Sequence, residues 1–228
     1  MRTATLVLAL VLVLVAAPAW AADFEAGWQA YIRGNYAIAL KEWRPLAEQG
    51  HAKAQYDLGV MYRKGRGVPQ DDKEAARWYR LAAVQGLPEA QNNLGVMYRE
   101  GQGVPQDDDE AVRWYSRAAE QGATSAQINL GVMYRTGEGV LQDDTEAVRW
   151  YRLAAEQGDA GAQNNLALMY FNGRGVPKDY VQARMWATLA TAQGNEQARK
   201  AVDLLDEMLT PAQRADAQRL AREWKPKR

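Results

Sequence analysis

The stretch GRGVPQDD, residues 65–72, gathers the residue types that most readily do chemistry. Gly65-Arg66-Gly67 has the free backbone and the cation of a phosphate cradle, and Asp71-Asp72 offers two hard oxygen donors to a metal. His51 is the only histidine, and Trp78, Trp114, Trp150 and Trp186 are possible stacking platforms for a sugar ring. Each candidate fails on its pattern. A phosphate loop needs a preceding strand and a GxGxxG or GK[ST] signature, and the chain has neither here. A calcium loop spaces its oxygens at alternating positions around a central glycine, whereas Asp107-Asp108-Asp109 is one contiguous run. No Ser/Asp set recurs near His51, and a lone histidine makes neither a relay nor a metal site. The sequence therefore assigns no catalytic residue, no metal ligand and no cofactor.

The spacing of these residues explains them better. LGVMY begins at Leu58, Leu94 and Leu130, and LALMY at Leu166, thirty-six residues apart each time. Gly50, Gly86, Gly122, Gly158 and Gly194 follow the same step, as do Ala54, Ala90, Ala126 and Ala162 and the four tryptophans. A fixed period of this size marks a solenoid, whose units bury their apolar faces only against neighbours. The chain is expected to be all-α.

Within a unit, Ala54, Leu58, Met61 and Tyr62 fall at i, i+4, i+7 and i+8, one apolar stripe on a first helix, A. Gly59 lies beside the stripe, where a missing side chain lets another helix approach. Ala75, Trp78, Tyr79, Ala82 and Ala83 keep helical spacing on a second helix, B, and this phase puts the tryptophans between helices. Gly65 and Gly67 turn the chain out of helix A, and Pro69 stops helix from running through the connection. Asp71 is placed to cap helix B with Glu74 three residues on, as a capping box requires. Asp107 with Glu110, Asp143 with Glu146, and Asp179 with Gln182 repeat the pairing.

The ends differ from the middle. Arg2 followed by the apolar run Leu6–Ala17 and by Ala19-Trp20-Ala21 reads as a signal peptide, residues 1–21, cleaved after Ala21. The run falls short of the ~20 residues that span a bilayer, so no stable membrane anchor is expected after cleavage. The expected compartment is the periplasm. Residues 22–51 read as a tetratricopeptide-like hairpin with Pro45 kinking or shortening its second helix. Four repeats follow at about 52–87, 88–123, 124–159 and 160–194, and residues 195–228 read as capping helices, the last entered through Thr210-Pro211. Its Ala217, Leu220, Ala221 and Trp224 are placed to cover the final repeat. Lys plus Arg balances Asp plus Glu at 28 each, which gives no pull toward nucleic acid. With no cysteine, the chain has no thiol nucleophile, disulfide or zinc–thiolate site. A monomer is expected.

The motif AQxxLGVMYRxGxGVxQDDxEAVRWYxxAAEQG, four times at this period, resembles the Sel-one-like repeat family, relatives of tetratricopeptide repeats. The fourth copy departs from it at Ala167, Phe171 and Ala187. The resemblance implies a right-handed α/α superhelical solenoid whose concave face is built mainly by the A helices. It also implies a non-enzymatic adaptor that binds a protein or peptide. Exported cysteine-rich members are linked to β-lactam binding, and this chain lacks their cysteines. Two other readings stand beside the adaptor: an accessory of envelope glycan or exopolysaccharide assembly, and an enzyme acting on β-lactams or cell wall.

Opposite the core stripe of helix A lie Tyr56, Val60 and Arg63, then Asn92, Val96 and Arg99, then Ile128, Val132 and Arg135, then Asn164, Leu168 and Phe171. Stacked in register, they would form an aliphatic row with an arginine ladder suited to a peptide carrying carboxylates. The valines serve either that groove or the inter-repeat core, and the arginines are either free or paired with Glu100 and Glu138. Asp57, Asn93, Asn129 and Asn165 form a second polar row, able to hold a peptide backbone or to bridge repeats. Gln55, Gln91, Gln127 and Gln163 lie nearer the core and are expected to bond adjacent loop backbone.

Overall fold

The computed structural model describes residues 22–227, so the expected signal peptide lies outside the described residues. Among those described, the chain forms twelve α-helices and no strand. The opening hairpin is α1 (Phe24–Ile32) and α2 (Tyr36–Glu48). Four more hairpins follow: α3 (Ala52–Lys64) with α4 (Asp72–Val84), α5 (Pro88–Glu100) with α6 (Asp108–Glu120), α7 (Thr124–Thr136) with α8 (Asp144–Glu156), and α9 (Ala160–Asn172) with α10 (Tyr180–Ala192). α11 (Glu196–Met208) and α12 (Pro211–Glu223) end the array. From α1 to α11 each helix packs on its neighbours in sequence, and α12 reaches back onto α10. The result is an all-α repeat solenoid.

The period becomes structure through a small set of contacts. Ala54, Leu58 and Met61 of helix A are fully buried with Ala75, Tyr79 and Ala82 of helix B, and the same set recurs in the second and third repeats. Burying a side chain such as Leu58 or Met61 contributes ~1.5–3 kcal/mol, so these units hold together by apolar area rather than by helix propensity. The helix pair closes tightly because a glycine faces a tyrosine ring. A Cβ on Gly59, Gly95 or Gly131 would come within 2.6–2.7 Å of Tyr79, Tyr115 or Tyr151. The fourth repeat departs at both members together: Ala167 replaces the glycine and Ala187 the tyrosine, and both are buried.

The GxG turns do structural work of two kinds. Gly65, Gly101, Gly137 and Gly173 end the A helices at positive φ, 62° to 79°, a conformation that costs L side chains energy. The second glycine lets repeats approach: Gly103, Gly139 and Gly175 lie against the backbone carbonyls of Asp72, Asp108 and Asp144 in the preceding repeat, with no space for a Cβ.

Two local expectations need correction. Asp71 caps α4 through bonds from the Lys73 and Glu74 amides at 2.9 and 3.1 Å, but the reciprocal half of the box is missing. The Asp71 N–H is already taken by the Tyr62 carbonyl at 3.0 Å, and Glu74 turns to Arg77 instead. Asp107, Asp143 and Asp179 donate in the same way to Tyr98, Tyr134 and Tyr170. Among the described residues a full capping box forms only at Thr210 with Gln213. Pro45 does not shorten α2, which runs three residues past it to Glu48. Its missing N–H costs only the single bond to residue 41.

Candidate functional site: the face of the A helices

The side chains on the exposed flank of α3, α5, α7 and α9 are held by the GxG turns on one side and by the B-to-A turns on the other. Val60, Val96 and Val132 are half-buried and rest on the inter-repeat core, so they belong to both the core and the surface. Leu168, at the same position of the fourth repeat, is 42 % exposed. Tyr56, Asn92 and Ile128 are half-buried at the surface. Asn164 departs from the expectation: it is only 6 % exposed, on α9, the helix that α11 also contacts. Phe171 turns toward α10, its ring 5.5 Å from that of Tyr180, and packs with Leu205 and Leu209. It does not end an arginine row.

Nor is that row free. Arg63 donates to Gln102 at 3.2 Å and lies 3.7 Å from the Glu100 carboxylate. Arg99 donates through Nε to Glu138 at 3.2 Å. Gln102 and Glu138 lie within the GxG turn of the next repeat and Glu100 at its flank, so these arginines join repeats. Arg135 differs. It donates through Nε to the Tyr151 hydroxyl at 3.3 Å, and residue 174 of the next turn is itself an arginine, committed to Asp144 at 2.8 and 2.9 Å.

The glutamines are as buried as expected, but their acceptors are carbonyls in the last turn of the preceding helix rather than in loops. Gln55 donates to Ala47 O at 2.9 Å and Gln91 to Ala83 O at 3.1 Å. Gln85 and Gln121 then donate to the oxygens of Gln55 and Gln91 at 2.7 and 2.8 Å. The same ladder continues through Gln127 and Gln163, satisfying amides that would be costly to bury unpaired. In the asparagine row, Asn129 bridges to Asn92 at 3.0 Å. Asp57 is the exception: its Oδ2 is buried without a partner, and burial lifts its pKa to about 7 against a weaker opposing pull from Lys53.

Two clefts open along this face. One of about 440 Å³ lies between Tyr56, Glu89, Asn92, Asn93 and the start of α7 at Thr124 and Ser125. The other, about 230 Å³, lies at the third-to-fourth repeat junction beside Arg135, Tyr151, Asn165 and Leu168. The tryptophans are core: Trp78, Trp114, Trp150 and Trp186 are 5–6 % exposed. His51 caps α3, its Nδ1 accepting from the Ala54 amide at 3.1 Å. Among the described residues no three His, Cys, Asp or Glu side chains converge as metal ligands would.

Helical hairpins in register, with structural chemistry in their turns and a shallow, partly polar face along their A helices, define a repeat scaffold. The model of the family described as Sel1 repeat matches residues 52–87, 88–122, 124–159 and 160–195, and the chain belongs to that family. It is similar to a Sel1 repeat protein from Oxalobacter formigenes of known structure, at 34% identity and a TM-score of 0.77, covering 88% of this chain and 84% of that one. It also resembles a protective antigen of uropathogenic Escherichia coli displaying an SLR fold, at 35% identity and a TM-score of 0.59, over 88% of this chain and 52% of that one. A 56-residue segment is 41% identical to an exopolysaccharide production negative regulator from Rhizobium leguminosarum bv. viciae, covering 25% of this chain and 21% of that relative. Sel1 repeat proteins are generally protein-interaction scaffolds, and their fold is typically non-catalytic.

Proposed function

We propose that the chain is a non-enzymatic adaptor, exported to the periplasm, that binds a protein or peptide along the face of its A helices. The observation that carries this reading is the contrast between frame and face. The frame residues repeat almost without change, whereas Tyr56, Asn92 and Ile128 stand at one repeated position, differ from one another and are partly exposed. A surface that varies on a fixed frame is how solenoids create specificity. The clefts are open and shallow, which suits an extended segment better than an enclosed substrate. The test is affinity capture from the native compartment with quantitative mass spectrometry. Proteins captured by the wild type should be lost with Ile128→Glu and kept with Leu153→Glu, which alters an exposed position on a B helix. Equal capture by both variants would remove the A-helix face as the binding surface.

A role in envelope polysaccharide assembly is the second reading, favoured by the segment shared with the exopolysaccharide regulator. It predicts a changed exopolysaccharide yield when the gene is deleted, restored by the wild-type chain.

A further inference from the structure

We propose that the cleft at the junction of the third and fourth repeats binds a peptide C-terminus ending in an apolar residue. The inference deepens the adaptor reading and rests on it. Its starting point is a break in a charge pattern. At the first junction Arg63 meets Gln102 and Glu100, and at the second Arg99 meets Glu138. At the third, residue 174 is an arginine already committed to Asp144 through Nε and one terminal nitrogen. Among the described residues, Arg135 has no carboxylate within ion-pair distance, and only its Nε is engaged, by Tyr151.

The cleft beside it supplies the rest of a carboxylate site. Its volume is about 230 Å³, and it is lined by Arg135, Tyr151, Asn165, Leu168, Asn172 and Arg174. Burial raises the pKa of the Tyr151 hydroxyl, so it stays protonated and keeps a hydrogen to donate while it accepts from Arg135. A guanidinium whose terminal N–H groups have no protein partner can take a carboxylate in bidentate fashion.

The apolar half comes from the adjoining hollow, about 60 Å³, lined by Leu168, Phe171 and Leu204. Leu168 belongs to both cavities, and Leu168 and Leu204 are 42 % and 48 % exposed. A carboxylate pocket and an apolar pocket sharing one wall match a terminal residue, whose carboxylate and side chain leave the same carbon. An internal Asp or Glu carries its carboxylate on its own side chain, so the apolar group must come from another residue farther along the backbone. The terminus is therefore the occupant.

Fluorescence anisotropy with hexapeptide pools, labelled at the N-terminus and ending in Leu, Val or Phe, tests this directly. The free-acid pool should bind at least tenfold more tightly than the same pool as C-terminal amides. Arg135→Gln should bring the acid down to the amide level. Arg174→Glu should do the same, by giving Arg135 the internal counter-charge that Glu138 gives Arg99. Arg99→Gln, at an arginine already paired, should leave binding unchanged. Circular dichroism and melting checks that each variant is folded; should either cleft variant melt, the acid-to-amide ratio of the wild type still decides. Equal or undetectable binding of acid and amide, or full binding by a folded Arg135→Gln, overturns the proposal. Equal binding of an amidated pool with one internal Asp overturns the choice of a terminus. Partner capture through Ile128 that survives all of these losses leaves the adaptor reading standing while this inference falls.

Discussion

Asp57→Asn isolates a single buried charge. Asp57 is 6 % exposed and its Oδ2 has no partner, whereas the other repeats carry Asn93, Asn129 and Asn165 at that position. The cause lies in how the array starts. Asn129 bridges to Asn92 of the preceding repeat. Gly27 against Trp43 stands where Gly95 stands against Tyr115, so Phe24 takes the place of Asn92 and offers no polar side chain. The folded pKa of about 7 lies above the ordinary value of 3.8. Between those two values the folded chain holds a proton that the unfolded chain has released, so stability falls as pH rises and levels off above 7. The whole fall is on the order of 4 kcal/mol, of which about 3 kcal/mol lies between pH 5 and pH 7 at ~1.4 kcal/mol per pKa unit. Asparagine does not titrate. Other groups contribute equally to both proteins and cancel in the difference. Urea unfolding of both proteins at pH 5 and pH 8 should show near-equal stability at pH 5 and a gain of about 2–3 kcal/mol for the variant at pH 8. The gain is expected to stay below the full fall, because a buried amide without a partner itself costs ~1–3 kcal/mol. The same difference at both pH values would refute the reasoning.

Two further outcomes follow from the packing. Gly95→Ala forces a Cβ against the Tyr115 ring and should destabilise the chain by ~1–3 kcal/mol, but cost much less in a Tyr115→Ala background, since the fourth repeat already carries Ala167 with Ala187. A double-mutant cycle by denaturant unfolding reads the coupling, and additive effects would contradict the contact. Asp206→Asn leaves Arg184, only 7 % exposed, without its half-exposed counter-charge, at a cost of roughly 1–2 kcal/mol once solvent screening of Asp206 is counted. Arg184 holds the Asp206 carboxyl below its usual range, so this stabilisation exists above the ordinary carboxylate pKa and is lost as pH falls through the depressed one. Hydrogen exchange should show the loss concentrated in α11 and α12, and uniform loss along the array would contradict an end-localised role.

The fold was legible because one solution is written four times. The stripe of Ala54, Leu58 and Met61, the turn glycines and the capping aspartates each obey local rules, and repetition removes accidental matches. Less legible was everything set by a neighbour. The pairing of Arg63 and Arg99 depends on which residue the next GxG turn presents, and that differs at every junction. Asn164 looks like Asn92 in its helix, yet it is buried where Asn92 is half-exposed. Asp57 looks like an ordinary polar substitution until burial leaves its Oδ2 without the partner that Asn129 finds in the preceding repeat. The capping boxes failed for a related reason: the Tyr62 carbonyl, nine residues before Asp71, had already taken the amide that Glu74 was expected to bind. Local patterns specify the unit, but the site arises where units meet and differ.

The central claim is that the turns serve geometry while the face of the A helices does the recognising. Site-specific photo-crosslinking in living cells tests it most directly, with the crosslinker placed singly at positions 92, 128 and 168 on the A helices and 81 and 153 on the B helices. A common adduct is expected from the first three positions and none from the last two. Adducts confined to the B-helix positions would contradict it.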